Sequence, residues 1–330
     1  MKRIAWLLAA LLPTCATLHA EPPEANKMRV AILMFDGVQV IDFAGPYEVF
    51  GQAGFAVHTV SRDGKAVTTA MNLRVNVDHA FDTAPVADVV VVPGGGGVDA
   101  VSKDAATLAW LTKSAGAARQ VLSICTGSDI LAATGLLDGQ PATTFHKHFD
   151  HMQATFPKVR VVRDRRWVET GKLVTSAGLA SGIDAALHVV ANLRDVKAAR
   201  SVAMHLEYDW SPESGFVRGL MADQFARMPA QPLQFPDGTD FAQTSSTGNA
   251  KYWETEYLVT SSLAPDALLQ HIGERARADR DLEVLPLPDA LQLSWQYRSP
   301  RGGRWRTSLQ AFEKRADDRY RVVARIMRLE

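Results

Sequence analysis

The chain has 330 residues, 47% of them hydrophobic, with 36 basic side chains balanced by 36 acidic ones. This length predicts one large globular domain with a smaller second one, since a single core rarely grows beyond about 250–300 residues. The balanced charge gives no sign of the basic surface that nucleic-acid binding needs, so we expect no nucleic-acid partner.

The N-terminal residues 1–20 are predicted to be a secretory signal peptide. A basic pair precedes an apolar stretch, which ends at a proline and is followed by Ala20 and an acidic, proline-rich segment. The apolar stretch is much shorter than the roughly 20 residues that span a bilayer, so we expect cleavage rather than membrane anchoring. The mature protein would be periplasmic or secreted. It would lose Cys15, keep Cys125 as its one thiol, and carry a net charge of −2.

A doubly wound α/β domain with a mostly parallel sheet is predicted over residues 28–208. Strands rich in Val, Ile and Leu are predicted at 28–35, 55–60, 86–92, 120–124 and 172–176. Helices are predicted at 46–53, 99–118, 126–134 and 179–191, with a further helix that begins after Asp195. In this fold the functional residues gather at the carboxyl ends of the strands.

The composition changes after this domain. Residues 209–249 are rich in proline, serine and threonine, and are predicted to be a linker with one helical piece near 220–227. Beyond it, strands are predicted at 252–260, 291–298, 304–312 and 319–326, and a helix at 265–278. The result is a small α+β domain over residues 250–330, with an arginine-rich strand face that either is simply solvated or binds an acidic partner.

Cys125 is predicted to be a nucleophile. It lies between a strand and a helix, and the small residues Ser123 and Gly127 on either side permit the sharp turn of a nucleophile elbow. A thiol at a helix N-terminus faces free N–H groups and the positive end of the helix dipole, so we expect a lowered pKa. The alternative is a small buried side chain without a chemical role.

Two further segments are expected to converge on the cysteine. Asp42 follows the first strand, where it would keep its proton beside a thiolate, or would instead cap a helix that begins near Pro46. Gly95, in the glycine run after the third strand, and Thr126 would offer their N–H groups as an oxyanion cradle. The glycine run is also typical of a plain tight turn.

Three histidines follow the paired threonines of residues 143–144. The His-x-His spacing of His146 and His148 permits a metal site, with His151 nearby, but no acidic residue has a recognisable metal-ligand spacing. We therefore expect no metal and no other cofactor. One of the three, with His146 as the candidate, would alternatively act as a base near Cys125.

These motifs resemble those of the PfpI/ThiJ superfamily, the cysteine-elbow branch of the class I glutamine amidotransferase-like fold. Within it, the chain is most similar to isonitrile hydratases and to the amidotransferase-like domains of AraC-type regulators. The matching runs are 41–50, 92–95, 123–128, 133–139, 142–144, 175–178 and 182–184.

The resemblance implies that Cys125 is the nucleophile, Asp42 its acidic partner, and Thr126 a neighbour whose hydroxyl and N–H face the substrate. The implied reaction adds water across R–N≡C to give an N-substituted formamide, without a cofactor. The implied partners are a small-molecule substrate and a second copy of the chain in a homodimer. Further substrate-binding positions implied by the resemblance are Gly94, Gly95 and Gly178.

Several departures from the superfamily pattern limit these expectations. Phe145 occupies the position where many relatives have histidine, which weakens a base role for His146. Thr126 argues against the protease-like branch, and Asp42, in place of glutamate, argues against the glyoxalase and deglycase branch. Residues 250–330 are predicted to be mostly strands rather than a helix-turn-helix. A redox-sensing or ligand-binding module with a reactive cysteine remains an alternative, as does glyoxalase- or deglycase-like activity.

Overall fold

The computed structural model describes residues 27–213, 216–286 and 289–330. The predicted signal peptide, with Cys15, lies outside the described residues. None of the described helices is long and apolar enough to cross a membrane.

The first unit is built on a seven-stranded sheet. Within residues 27–213 the strands are β1 (Arg29–Leu33), β2 (Ala56–Ser61), β3 (Val67–Thr68), β4 (Arg74–Val75), β5 (His79–Ala80), β6 (Val89–Val92), β7 (Gln120–Ile124), β8 (Pro141–Ala142), β9 (Arg160–Val161), β10 (Trp167–Thr170) and β11 (Leu173–Ser176). The large sheet has the order β10-β11-β7-β6-β1-β2-β5, and all its pairings are parallel except that of β10 with β11. The strands β3 with β4, and β8 with β9, form separate pairs.

Helices cover the centre of this sheet in two groups. They are α1 (Val40–Gln52), α2 (Val98–Val101), α3 (Ala105–Ala117), α4 (Gly127–Ala133), α5 (Phe149–Thr155), α6 (Ala180–Leu193) and α7 (Val196–His205). Helix α6 packs against α1 and α7, whereas α4 packs against α2 and α3. Every residue of β6 and β7 is buried, as expected for strands covered on both faces. The predicted doubly wound, mostly parallel α/β fold is confirmed.

Helix α1 begins earlier than predicted. The expected helix at 46–53 starts at residue 40, so Asp42 lies in its first turn and Pro46 lies inside it. Proline is tolerated best in a first turn, which is why the sequence placed the start of the helix at Pro46. The shift matters because it brings Asp42 onto a regular element at the end of β1.

Two aspartates define where other helices begin. The predicted helix at 99–118 is split into α2 and α3, because the Asp104 side chain caps α3 by accepting the N–H of Thr107 at 2.9 Å. The predicted cap at Asp195 is present, and its carboxylate accepts the N–H of Ala198 at 2.7 Å.

The second unit is an antiparallel sheet with one long helix against it. Its elements are β12 (Asp240–Gly248), β13 (Tyr252–Thr260), α8 (Pro265–Ala278), β14 (Glu283–Val284), β15 (Gln292–Arg298), β16 (Arg304–Ala311) and β17 (Tyr320–Arg328). The order across the sheet is β12-β13-β17-β16-β15-β14. Leu268 and Ile272 of α8 share a buried cluster with Trp295 and Trp305 of the sheet. The predicted small α+β domain is present.

The segment predicted to be a linker contributes to this second unit. Strand β12 lies inside residues 209–249, and Met221 and Ala222 belong to the buried core of the second unit. Two short 3-10 turns, Arg218–Leu220 and Ala222–Phe225, replace the expected helical piece. The linker prediction is therefore wrong for much of its length.

The arginine-rich strand face is largely paired within its own sheet. Arg325 contacts Glu254 at 2.7 Å, and Arg321 contacts Glu256 at 3.4 Å. Both contacts join β17 to β13. These arginines therefore already have acidic partners on the neighbouring strand.

Candidate active site

The strand-helix junction after β7 places Cys125 in a strained turn. Its φ of 57° lies in the left-handed region, which is the geometry of a nucleophile elbow. The Cys125 N–H donates to the carbonyl of Ser176 at 3.1 Å. Its own carbonyl accepts the hydroxyls of Ser128 at 3.0 Å and Thr144 at 3.1 Å. These bonds to β11, to α4 and to the segment after β8 compensate for the strain and fix the cysteine at the carboxyl end of the sheet.

The carboxyl group of Asp42 lies beside the thiol, fully buried. One oxygen accepts the N–H of Gly94 at 3.2 Å, and the other accepts the N–H of Leu179 at 3.1 Å. The Cys125 side chain also interacts with this carboxyl group. Burial raises the pKa of Asp42 to about 6, although the two backbone N–H groups and the Cys125 side chain oppose the shift. The capping alternative is wrong, because the cap residue of α1 is Gln39.

The pKa of Cys125 moves in the direction opposite to the one expected from the helix N-terminus. The residue is only 7% exposed. Burial raises its thiol pKa and the Asp42 carboxylate raises it further, whereas the N–H and hydroxyl of Thr126 lower it by less. The prediction of a lowered pKa is therefore wrong. Because the pKa of the thiol is raised well above that of the carboxyl, the pair holds its proton on sulfur near neutral pH.

The glycine run supports the site without forming the predicted cradle. The N–H of Gly95 donates to the hydroxyl of Thr126 at 3.1 Å, and the N–H of Gly94 is bound to Asp42. Both groups therefore orient side chains instead of facing open space. The N–H and hydroxyl of Thr126 lower the pKa of the Cys125 thiol, so they can stabilise negative charge on the sulfur.

Two glycines pack directly against the cysteine. A Cβ on Gly178, whose φ is +85°, would lie 2.5 Å from the Cβ of Cys125 and 3.0 Å from its sulfur. A Cβ on Gly94 would lie 2.7 Å from the Thr126 nitrogen and 2.9 Å from the Cys125 Cβ. No side chain fits at either position without displacing the thiol or its partner.

His146 does not join this group. Its ring packs against Phe145 with the centroids 4.3 Å apart, and its Nε2 atom is buried without a hydrogen-bond partner in the described structure. Burial, together with the charge of Arg218, lowers its pKa to about 4. No hydrogen bond within the described residues connects it to Cys125. The structure therefore gives no contact through which His146 would act as the base.

The other two histidines meet an acidic residue that the sequence analysis did not single out. His148 Nε2 lies 2.7 Å from Oδ2 of Asp129, and His151 Nε2 lies 3.7 Å from the same oxygen. All three side chains line a cavity of about 550 Å³ that also contains Gly95 and Thr126. Asp129 was missed because it lies on α4 and the histidines lie at α5, with no motif spacing between them.

The comparisons with known proteins decide the family. A profile of the DJ-1/PfpI family matches residues 28–192, which cover nearly all of the first unit. This chain belongs to the DJ-1/PfpI family. The second unit lies beyond the region that the family profile matches.

Individual DJ-1/PfpI relatives agree with the assignment. Isonitrile hydratase of Pseudomonas putida is 39% identical over 189 residues, which are 56% of this chain and 80% of that protein. The HTH-type transcriptional regulator GbdR of Pseudomonas aeruginosa is 30% identical over 177 residues, and the match spans only 47% of the regulator. The crystal structure of a THiJ/PfpI family protein from Pseudomonas syringae superposes with a TM-score of 0.53 at 32% identity, covering 60% of this chain and 86% of that one.

Proposed function

We propose that this DJ-1/PfpI protein is a cysteine-dependent enzyme that adds water to a small isonitrile. The observation that carries the proposal is that the Cys125 side chain interacts with the buried Asp42 carboxyl, which two backbone N–H groups hold in place. This contact pairs a nucleophile with a group that can accept and return its proton. The similarity to an isonitrile hydratase supports the choice of substrate class.

The first step forms a covalent intermediate. Asp42, with a pKa of about 6, is mostly ionised near neutral pH and accepts the proton of the Cys125 thiol. The carboxylic acid then delivers that proton to the terminal carbon of R–N≡C, and the sulfur attacks the same carbon. The S–H bond breaks, C–H and C–S bonds form, and the product is the thioimidate R–N=CH–S–Cys.

The second step consumes one water molecule. Water adds through its oxygen to the thioimidate carbon, and the ionised Asp42 takes up one of its protons. The other water proton moves to the nitrogen as the C=O bond forms and the C–S bond breaks, and the sulfur receives the proton held by Asp42. The released product is the formamide R–NH–CHO, so the overall reaction converts R–N≡C and one water molecule into R–NH–CHO. The same carboxyl group moves a proton in both steps, which a pKa near the working pH favours.

Thr126 stabilises the sulfur while it is charged. Its N–H and hydroxyl favour the charged form of the Cys125 sulfur, and the hydroxyl is held by the N–H of Gly95 at 3.1 Å. This fixed donor counteracts part of the burial penalty on the thiolate that forms between the two proton transfers.

The narrow access to the sulfur favours a slender substrate. With 7% of Cys125 exposed, a branched or strongly hydrated group would have to displace the glycines around the thiol. An isonitrile group is linear, uncharged and reacts at its terminal carbon, so it can reach the sulfur end-on.

The experiment is a turnover screen of several isonitriles and α-oxoaldehydes with purified protein. We expect formamide from isonitriles, and a loss of at least about 100-fold in Cys125→Ser and Asp42→Asn, as is typical for removal of an acid-base or nucleophilic group. The matched control is Asp104→Asn, which removes an aspartate that also accepts backbone N–H but lies at the start of α3. Undiminished formamide production by Cys125→Ser would overturn the proposal, and turnover of oxoaldehydes alone would favour a deglycase.

The sensing alternative is less well supported by the geometry. Redox-sensing cysteines combine a low pKa with solvent access, whereas burial and Asp42 raise the pKa of Cys125. DNA binding as in a helix-turn-helix regulator needs two adjacent helices, and the described residues from 240 onward contain one α-helix, α8. Sulfenic acid at Cys125 in mass spectra, without turnover of any isonitrile, would nevertheless favour a sensor.

We also propose that the enzyme acts outside the cytoplasm. Support comes from the sequence of residues 1–20, with its basic start, short apolar stretch and small residue Ala20. N-terminal sequencing of protein from fractionated cells tests this proposal. A mature chain that starts at Glu21 in the periplasmic or secreted fraction is expected, and an uncleaved chain in the cytoplasm would contradict it.

A further inference from the structure

We propose that Asp129, His148 and His151 form a binding site for a divalent transition-metal cation, with Zn²⁺ as the best-matching ion. One ligand atom from each side chain lies within 4.8 Å of the other two. Two imidazoles and one carboxylate are a ligand set that zinc and its first-row neighbours prefer in proteins. The cluster contains neither Cys125 nor Asp42, so this inference does not depend on the proposed reaction.

The spacing of the ligands suits a single ion. Oδ2 of Asp129 lies 2.7 Å from His148 Nε2 and 3.7 Å from His151 Nε2. Ligands around a tetrahedral zinc are about 3.3 Å apart, given bond lengths of about 2 Å. Small side-chain rotations would therefore bring all three into coordination, without movement of the backbone.

Two helices hold the ligands in place. Asp129 lies in the first turn of α4, while His148 is the residue that precedes α5 and His151 lies in the first turn of that helix. Residues three apart on a helix share one face, which explains why the two imidazole rings lie 4.3 Å apart. The arrangement therefore rests on the fold and does not require an ordered loop.

A second observation points to a missing ligand at Asp129. The residue is only 4% exposed, and its second oxygen, Oδ1, is buried with no hydrogen-bond partner in the described structure. A buried acceptor without a partner costs about 1–3 kcal/mol, and more when it is charged. A cation bound by the carboxylate would remove that cost.

The cavity offers both room and a favourable charge. Its volume is about 550 Å³, and Asp129 is joined on its wall by Asp99 and Lys103. Asp99 and Lys103 neutralise each other through a 2.7 Å contact, so the net charge of the lining favours a cation. Thr126, the residue after the cysteine, lines the same cavity.

A simple histidine-carboxylate pair does not account for the whole cluster. The contact between His148 and Asp129 would by itself form such a pair. His151, whose side chain is 56% exposed, nevertheless lies against the same oxygen. Elsewhere His188 contacts Glu169 at 2.8 Å without a second histidine. That pair supplies a matched control with one imidazole and one carboxylate.

The test is zinc binding to the tag-free chain after removal of metal with EDTA, measured by calorimetry, with Co²⁺ absorption spectra as a second readout. We expect one equivalent of Zn²⁺ per chain in the wild type. Loss of even an outer-sphere partner weakens metal binding by 10–100-fold, so His148→Gln, His151→Gln and Asp129→Asn should each weaken it by at least about tenfold. Because His151 is half-exposed, His151→Gln tests the site even if Asp129→Asn fails to fold.

Two controls make the outcome decisive. His188→Gln and Cys125→Ser should bind zinc as tightly as the wild type. The proposal is overturned by the absence of stoichiometric binding, by unchanged binding in His151→Gln, or by loss of binding in Cys125→Ser, which would place the ion on the thiol. Failure of isonitrile turnover leaves these binding results unaffected, so the two proposals fail separately.

Discussion

Cys125 and Asp42 interact side by side, and burial raises the pKa of both the thiol and the carboxyl. Most reactive cysteines are activated by a lowered pKa that maintains a resting thiolate. Here a neutral thiol rests against a carboxylate instead. In the proposed reaction, the thiolate is therefore generated by proton transfer within the pair when a substrate binds.

Asp42→Asn should change turnover and thiol reactivity in opposite directions. Removing the carboxylate removes the proton acceptor, so isonitrile turnover should fall by at least about 100-fold. It also removes a negative charge that raises the pKa of Cys125, so the thiol pKa should fall. Titration of the ultraviolet thiolate absorbance and the rate of iodoacetamide labelling measure the second effect. An unchanged labelling rate at constant pH would contradict the electrostatic coupling.

The pH dependence of turnover should report the ionisation of Asp42. Below its pKa of about 6 the carboxyl is protonated and cannot accept the thiol proton. Thus kcat/KM should fall about tenfold per pH unit below pH 6 and reach a plateau above it, because kcat/KM reports ionisation of the free enzyme. Rates measured from pH 4.5 to 8 in buffers of constant ionic strength test this. The inflection should be absent from the residual activity of Asp42→Asn.

Gly178→Ala should damage the site more than an alanine substitution at another glycine whose φ is positive. The new Cβ would lie 2.5 Å from the Cβ of Cys125, so we expect a turnover loss of at least about tenfold from displacement of the reacting sulfur. Gly171→Ala is the matched control, since its φ is +58° but no atom lies within 4 Å of the added Cβ. Both variants should lose about 1 kcal/mol of stability from strain alone. Equal turnover in the two variants would show that the close contact is unimportant.

Arg166→Met should destabilise the first unit. The Arg166 guanidinium pairs with Asp184, and the side chains are only 12% and 4% exposed. Removing one partner of a buried pair costs about 3–5 kcal/mol. Arg163→Met is the control, because Arg163 pairs with Asp150, whose side chain is 75% exposed, and should cost at most about 1 kcal/mol. Urea unfolding measures both values, and similar midpoints would contradict the distinction between the pairs.

The fold of the first unit could be predicted because its strands are continuous apolar runs. Residues 89–92 are four valines, and the structure buries every one. Strand β12 gave no such signal, since its side chains are almost all exposed and its composition of threonine, serine and glycine is typical of a loop. Edge strands of this kind are defined by their neighbour, here β13, rather than by their own residues.

The site could be predicted only where residue type carries the chemistry. The elbow at Cys125 has small residues at fixed spacing, and the local sequence was sufficient to find it. Leu179 supplies a backbone N–H to Asp42, a contact to which its side chain gives no clue. The rise in the Cys125 pKa could not be predicted from the sequence. The sequence shows that a helix begins after the cysteine, but it does not show the loss of water around the sulfur.

Asp42 is supported at both oxygens by main-chain groups, those of Gly94 and Leu179. Leu179 holds its position with a φ of 52° while its side chain remains 40% exposed. Support of this kind constrains the path of the chain and leaves the chemical identity of that side chain open. A φ of 52° disfavours side chains that branch at Cβ. Among the other residue types, position 179 can vary in size and polarity at the surface of the site while the acid below it keeps its orientation.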